Sequence, residues 1–168
     1  ACAAAGGPPT MPTMTVTPLD LAAPWTLPGA RAVTTVDSHT DGEPTRLVVA
    51  GVDLPGATMA ARRAALAGPL TPLRHRLLRE PRGHRDLFGA VLTSPVTPGA
   101  AFGLVYMDAV RCPHLCGHAT MGAVTTLINL GRLPAAAPET TVTVDTPSGP
   151  VQARAQIEGG RATRVSLT

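Results

Sequence analysis

RCPHLCGHATMG, residues 111–122, marks the point where a loop is predicted to become the main helix of this chain. Beyond it, apolar residues recur at helical spacing and a glycine ends the pattern, at Met121, Val124, Leu127, Ile128 and Leu130-Gly131. Cys116 is therefore predicted at a helix N-terminus. The dipole and the free N–H groups of such an end favour a thiolate and can also hold a carboxylate. The stretch thus predicts a reactive base beside an anion site, a combination suited to amino-acid chemistry.

The composition limits the classes of function. The 168 residues are enough for one domain, and its core must be aliphatic because hydrophobic residues make up 44% but aromatic residues only 2%. The net charge of +3 is small and the arginines are scattered. With few rings to stack on bases, no nucleic-acid partner is expected. No apolar run reaches the length of a membrane span, so no membrane partner is expected either.

The cysteines and the N-terminal region indicate the setting of the domain. Cys2, Cys112 and Cys116 are an odd number, which argues against a disulfide framework and favours a cytoplasmic location. The N-terminus shows no secretory signal. Residues 1–30 are rich in Ala, Pro, Gly and Thr without periodicity, and they are predicted to form a disordered extension. Order is predicted from Arg31 onward.

The remaining pattern predicts an α+β domain with a mixed, mainly antiparallel sheet around one central helix that starts near Cys116. Strands are predicted over residues 32–37, 46–52, 87–92, 102–107, 141–146, 151–157 and 163–167, the last three as an antiparallel meander. Shorter helical segments are predicted over residues 58–66, capped by Thr58, and 73–78, with its arginine and histidine side chains facing solvent. Polar loops are predicted over residues 38–44 and 79–86. The chain ends directly after a strand, so we expect it to be part of a longer protein.

Acid–base catalysis is one interpretation of the cysteine stretch. A cofactor-free enzyme that removes the α-proton of an amino acid needs a base at the α-carbon and fixed donors on the carboxylate. Cys116 could supply the base. Gly117 would let the backbone approach the substrate, and the backbone N–H of His118 would point at the ligand.

Two other interpretations remain open at this point. Cys112, His114, Cys116 and His118 alternate along the chain, so a zinc site has to be considered. Ligands so close together, stiffened by Pro113, would have difficulty closing a tetrahedron, and we predict no metal. Alternatively, Cys116 is a small buried apolar residue at a helix start.

Several stretches resemble one family, the proline racemase family. Residues 116–122, CGHATMG, are similar to its catalytic-cysteine motif, and residues 37–46, DSHTDGEPTR, to its N-terminal signature. Residues 80–90, EPRGHRDLFGA, and residues 145–149, DTPSG, resemble two further motifs in the expected order. The resemblance covers about residues 32–168. The chain departs from it at Asp41, Leu115 and Cys112, where relatives more often carry Gly, Met and Tyr.

The resemblance implies a two-lobed fold like that of diaminopimelate epimerase, with α/β lobes and an active site between them. Residues 31–168 would be the N-terminal catalytic lobe, and the second lobe is absent from this sequence. Cys116 would be one of two acid/base groups, and the backbone N–H groups of Gly117 and His118 would bind the carboxylate of proline or hydroxyproline. No cofactor is implied. The other lobe would supply a cysteine in racemases and epimerases, or a threonine in trans-3-hydroxy-L-proline dehydratases.

A single lobe has two expected consequences. With one base and half a cleft, this chain alone should be catalytically inert, because inversion needs groups on both faces of the α-carbon. Its exposed inner face should also pair with a second copy, so a homodimer is expected.

Overall fold

The computed structural model describes residues 29–168, and within them residues 31–168 form one compact unit. The extension predicted over residues 1–30 lies outside the described residues except for its last two. The seven strands are β1 (Thr34–Thr40), β2 (Glu43–Ala50), β3 (Phe88–Thr93), β4 (Phe102–Met107), β5 (Glu139–Thr146), β6 (Gly149–Glu158) and β7 (Arg161–Leu167). The helices are α1 (Met59–Ala67), α2 (Thr71–Leu78) and α3 (Gly117–Asn129).

The strands form one mixed sheet in which spatial order follows chain order, β1 to β7. Two neighbouring pairs are parallel, β2 with β3 and β4 with β5, and the other four pairs are antiparallel. The parallel connection from β2 to β3 is made through α1 and α2, and that from β4 to β5 through α3. The predicted α+β class, the mixed sheet and the C-terminal meander are confirmed.

Helix α3 is the centre of the fold. Both edge strands of the sheet, β1 and β7, contact it, so the sheet curves around the helix. The helix is therefore buried on most sides, including at Ala119, Gly122 and Ala123. The sequence pattern predicted a single apolar face. That prediction was too narrow because small residues complete the buried surface, and they carry little weight when large apolar residues are counted.

The sheet separates two hydrophobic clusters. The inner cluster lies between the sheet and α3, and the outer cluster lies between the sheet and the α1–α2 pair. Alternate residues of β4 go to alternate clusters, since Leu104 and Tyr106 belong to the inner one while Val105 and Met107 belong to the outer one. This period of two explains why β4 reads as a continuous apolar run in the sequence.

The polar loop predicted over residues 38–44 is wrong in extent. Strands β1 and β2 continue through most of it and leave a two-residue turn, Asp41-Gly42, with φ of 49° and 93°. Positive φ at both central residues is typical of tight hairpin turns, for which Asp-Gly is a preferred dipeptide. The Asp41 that departs from the family pattern is thus a turn residue. The dipeptide was a usable signal for the hairpin.

The two short helices confirm one prediction and correct another. Thr58 caps α1 as predicted, because its hydroxyl accepts a hydrogen bond from the Ala61 N–H at 3.1 Å. Arg74 of α2 does not face solvent. It is 4% exposed, and its guanidinium donates to the carbonyl oxygen of Asp108 at 2.7 Å. The long side chain covers the outer cluster while its polar end meets a backbone acceptor.

Candidate active site

Cys116 occupies the N-cap position of α3, as predicted. Its backbone is extended, with φ of −143° and ψ of 110°, and the side chain makes no capping hydrogen bond. Its carbonyl oxygen accepts from the backbone N–H of Thr120 at 3.0 Å and from the hydroxyl of Thr120 at 2.8 Å. The backbone N–H groups of Gly117 and His118 fall in the first turn, where a helix has no internal acceptors for them.

The His118 ring lies beside the Cys116 sulfur, a placement the sequence could not give. The sulfur is 3.5 Å from Nδ1 and 3.7 Å from Nε2 of that ring. The ring of Phe88 meets the His118 ring edge to face, with centroids 4.9 Å apart. Phe88 belongs to the family-like stretch at residues 80–90, but sequence reasoning did not single it out.

Burial works against the thiolate of Cys116. The residue is 8% exposed, and this burial raises the pKa of its thiol above the ordinary value. The backbone N–H of Ala119 lowers the pKa, while the negative charges of Asp108 and Glu43 raise it further. The donor at the helix end lowers the pKa of the Cys116 thiol as expected, but desolvation outweighs it, so the net direction is upward.

Three of the four family-like stretches meet at the first turn of α3. The hairpin motif reaches it through Thr40, whose hydroxyl donates to the carbonyl oxygen of His118 at 3.1 Å. The motif at residues 80–90 reaches it through Phe88. Strands β2 and β3 carry these motifs side by side, with Thr45 paired to Phe88. Three stretches that are distant in sequence thus surround one helix end.

Arg46 joins the motif at residues 37–46 directly to the motif at residues 80–90, and sequence reasoning missed it. Its Nε and Nη2 donate to the two carboxylate oxygens of Asp37 at 2.8 and 2.7 Å. Its Nη1 donates to the carbonyl oxygens of Leu77 at 2.6 Å and Arg82 at 2.5 Å. One guanidinium therefore ties the hairpin to the end of α2 and to the loop that leads into β3.

The loop between β4 and Cys116 is held by arginines from the two outer helices. Each donates to a backbone carbonyl oxygen of the loop: Arg63 to Cys112, Arg74 to Asp108 and Arg79 to Ala109, at 2.6, 2.7 and 2.9 Å. The Asp108 carboxylate in turn accepts from the backbone N–H groups of Val110 and Arg111. The cysteine loop is therefore anchored to the helix pair that packs on the outer face of the sheet.

Cys112 and Cys116 have different surroundings. Cys112 is 2% exposed in the outer cluster, whereas Cys116 belongs to the inner cluster. Both are free thiols. Within residues 29–168, no three Cys, His, Asp or Glu side chains are grouped so that they could hold a metal ion. In the same range, no helix is both long enough and apolar enough to cross a membrane.

The family model described as Proline racemase matches residues 35–168. The chain belongs to the proline racemase family, and the resemblance found in the motifs is confirmed.

Three similar proteins illustrate different activities within the family. The chain is 42% identical over 134 residues to a 4-hydroxyproline 2-epimerase of Streptosporangium roseum, with 79% of this chain and 40% of the relative covered. It is 40% identical over 139 residues to a proline racemase of Clostridioides difficile, covering 82% and 42%. It is 39% identical over 134 residues to a trans-3-hydroxy-L-proline dehydratase of Burkholderia cenocepacia, covering 79% and 40%. The chain thus spans about two fifths of the length of these relatives.

A solved structure shares the fold. The crystal structure of a hydroxyproline epimerase from Agrobacterium vitis, with bound trans-4-hydroxy-L-proline, aligns with a TM-score of 0.79 at 28% identity. The alignment covers 83% of this chain and 42% of that protein. The predicted fold class is confirmed.

Proposed function

We propose that this chain is the N-terminal lobe of a cofactor-independent enzyme that removes the α-proton of proline or hydroxyproline, with Cys116 as one of its two acid/base groups. The observation that carries the proposal is the convergence of three of the four family-like stretches on the first turn of α3, where Cys116 lies beside His118. The activities of the relatives agree with a racemase or epimerase of this class.

The mechanism assigns each group of this first turn one task. The N–H groups of Gly117 and His118 bind the substrate carboxylate and so stabilise the negative charge that spreads onto it when the α-proton leaves. One acid/base group takes this proton, and the other delivers a proton to the opposite face of the same carbon. Cys116 takes the α-proton of one stereoisomer as a thiolate and, as a thiol, delivers a proton when the reaction runs in the other direction. The second group comes from a lobe outside this chain.

The test is solvent-deuterium incorporation at the α-carbon of L-proline and trans-4-hydroxy-L-proline. The natural protein that contains residues 1–168 together with the rest of its reading frame is expected to exchange the α-hydrogen and to form the other stereoisomer. The 168-residue chain alone is expected to show no exchange above buffer, since it offers one acid/base group and one wall of the cleft. Robust turnover by the isolated chain would contradict the two-lobe mechanism.

A dehydratase is the second candidate, favoured by the 39% identity to a trans-3-hydroxy-L-proline dehydratase. The same Cys116 would take the α-proton, and the electron pair would then expel hydroxide from the neighbouring carbon, so that water is lost. Incubation of trans-3-hydroxy-L-proline with the natural protein separates the two, because a dehydratase gives a product lighter by one water in mass spectrometry. A third candidate, an inert single-lobe binding module, predicts proline binding by calorimetry without exchange.

Gly117→Ala tests the carboxylate site. A β-carbon at Gly117 would have one neighbour within 4 Å, Leu167 Cδ1 at 3.9 Å, so nothing inside this lobe requires a glycine there. The variant is therefore expected to unfold at the same urea concentration as the wild type, or at a higher one, because alanine favours a helix by up to about 1 kcal/mol. Exchange by the natural protein should fall at least about tenfold, since a tenfold loss corresponds to only ~1.4 kcal/mol of transition-state stabilisation. Unchanged exchange would remove Gly117 from the substrate site.

Two further predictions concern the setting of the enzyme. We infer a reducing, cytoplasmic compartment, and the free thiols of Cys112 and Cys116 support this.

Pairing of two copies of the isolated lobe stays a prediction. The exposed Val110 and Leu115 of the cysteine loop support it, and light scattering measures it.

A further inference from the structure

Three hydroxyl groups of the β1–β2 hairpin converge on Gly122 of α3. A β-carbon placed on Gly122 would lie 3.3 Å from Thr40 Oγ1, 3.5 Å from Ser38 Oγ and 3.8 Å from Thr45 Oγ1. The three hydroxyl oxygens therefore face the same space beside α3, on the side where Gly122 has no side chain. Glycine at this helix position keeps that space open.

Two of these hydroxyl groups have no hydrogen-bond partner among residues 29–168. Ser38 Oγ and Thr45 Oγ1 are buried and form no hydrogen bond with any other described residue, and Thr45 is only 1% exposed. Buried hydroxyl groups are normally hydrogen-bonded, to protein or to ordered water. Thr40 differs from both, because its hydroxyl proton is donated to the carbonyl oxygen of His118 and its oxygen can still accept.

We propose that a water molecule binds in the space between these hydroxyl groups, at van der Waals distance from the Gly122 Cα, and bridges Ser38, Thr40 and Thr45. A water molecule needs two to four polar partners, and these hydroxyls supply three. Water donates to Thr40 Oγ1, which has no free proton, and to one of the other two oxygens, and it accepts from the third. A cleft of about 480 Å³ between the hairpin and β7 is lined by Ser38, Thr40 and Gly122 among others, so it opens beside this space and gives water a route in.

The water connects the hairpin to the helix end that carries the candidate active site. Through Thr40 it joins the carbonyl oxygen of His118 in the first turn of α3. This site is independent of the proposed reaction, because it rests on the hydroxyl geometry alone. Its test therefore uses stability and water detection, and it can fail or succeed whatever the enzyme assay shows.

The sign of the stability change in Thr45→Val distinguishes a bridged hydroxyl from an unpaired one. Valine has the same shape but no hydroxyl group. If water bridges Thr45, the variant loses a hydrogen bond and leaves the water short of a partner, so we expect Tm to fall by about 4 °C. If the hydroxyl is unpaired, its removal is favourable and Tm rises, which would overturn the proposal. Thr143→Val, at a partly exposed position of β5, is the matched control and should leave Tm within about 1 °C.

Direct detection of the water completes the test. In NMR, the wild-type chain is expected to show a water cross-peak to the methyl group of Thr45 that persists for a long-lived, buried molecule. Gly122→Ala should abolish it, because the added methyl group fills part of the space that the three hydroxyl oxygens face, while Thr40 has to shift by only a few tenths of an ångström. Absence of the cross-peak in the folded wild type would overturn the site, as would its persistence in Gly122→Ala.

Discussion

Replacement of Cys116 by serine is expected to abolish α-proton exchange by the natural protein, by a factor of about 10³ or more, while the fold is kept or strengthened. A serine hydroxyl is far too weak an acid to exchange protons with the α-carbon in place of a thiol. Stability should not fall, because the Cys116 side chain makes no capping hydrogen bond, whereas serine is among the preferred N-cap residues. Activity and stability thus move in opposite directions, which a merely misfolded variant could not imitate.

Cys112→Ala is the matched control for this experiment. Cys112 lies in the outer cluster, away from the inner cluster that holds Cys116, so exchange should stay within about twofold of the wild type although some stability is lost. Retention of full exchange by Cys116→Ser would show that the acid/base group has been assigned wrongly.

The pH dependence of thiol alkylation checks the electrostatics of Cys116 in the 168-residue chain. Since burial raises its pKa, the rate of iodoacetamide labelling, followed by peptide mass spectrometry, should keep rising above the pH at which an ordinary thiol levels off. A midpoint below the ordinary thiol value would mean that the helix end outweighs burial after all.

Arg46→Met is expected to cost about 3 kcal/mol of unfolding free energy, measured by urea denaturation at pH 7. The change removes hydrogen bonds to the Asp37 carboxylate and leaves the carbonyl oxygens of Leu77 and Arg82 without their donor. We place the value below a full sum of these bonds because the Asp37 side chain is 54% exposed and water screens that pair. Arg154→Met is the control, because its 3.7 Å pair with Glu139 is about half exposed on both sides and should contribute under about 0.5 kcal/mol.

Acid should reduce the difference between the wild type and Arg46→Met without removing it. Hydrogen bonds from Arg46 hold the pKa of Asp37 below its ordinary value. The stabilisation from this pair is therefore complete above the unfolded-state pKa of about 3.9, and it is lost as the pH falls through the lower folded-state pKa. The bonds to the Leu77 and Arg82 carbonyls do not titrate, so their share of the difference persists. Equal losses in Arg46→Met and Arg154→Met at pH 7 would refute the bridging role.

Local patterns predicted most of the elements but misjudged charged residues. Alternation and apolar runs predicted the strands to within a few residues. A strand buried on one face needs apolar side chains at alternate positions, and a strand buried on both faces needs them at successive positions. In the sequence, Arg46 and Arg74 resemble ordinary polar positions. The carbonyl oxygens that accept their hydrogen bonds, those of Leu77 and Asp108, lie 31 and 34 residues away. No short-range signal reports a hydrogen bond between such distant parts of the chain.

The candidate site was predictable in its residue types but not in its surroundings. The position of Cys116 at a helix start followed from the apolar periodicity that begins after it. The raised pKa of its thiol did not, because burial depends on a sheet that wraps α3 from both ends of the domain. The contact of His118 with Phe88 likewise depends on the parallel pairing of β2 and β3, which only the three-dimensional fold reveals.

The enclosure of α3 between the first and the last strand also sets the order of folding. Contacts of the helix with β1 and β7 join residues that are far apart in sequence, and such non-local closure is slow compared with helix or hairpin formation. During synthesis, β7 leaves the ribosome last of the seven strands, so α3 stays partly uncovered until then. We therefore expect the thiol of Cys116 to stay open to oxidants until β7 has docked, and pulsed alkylation during refolding measures that interval.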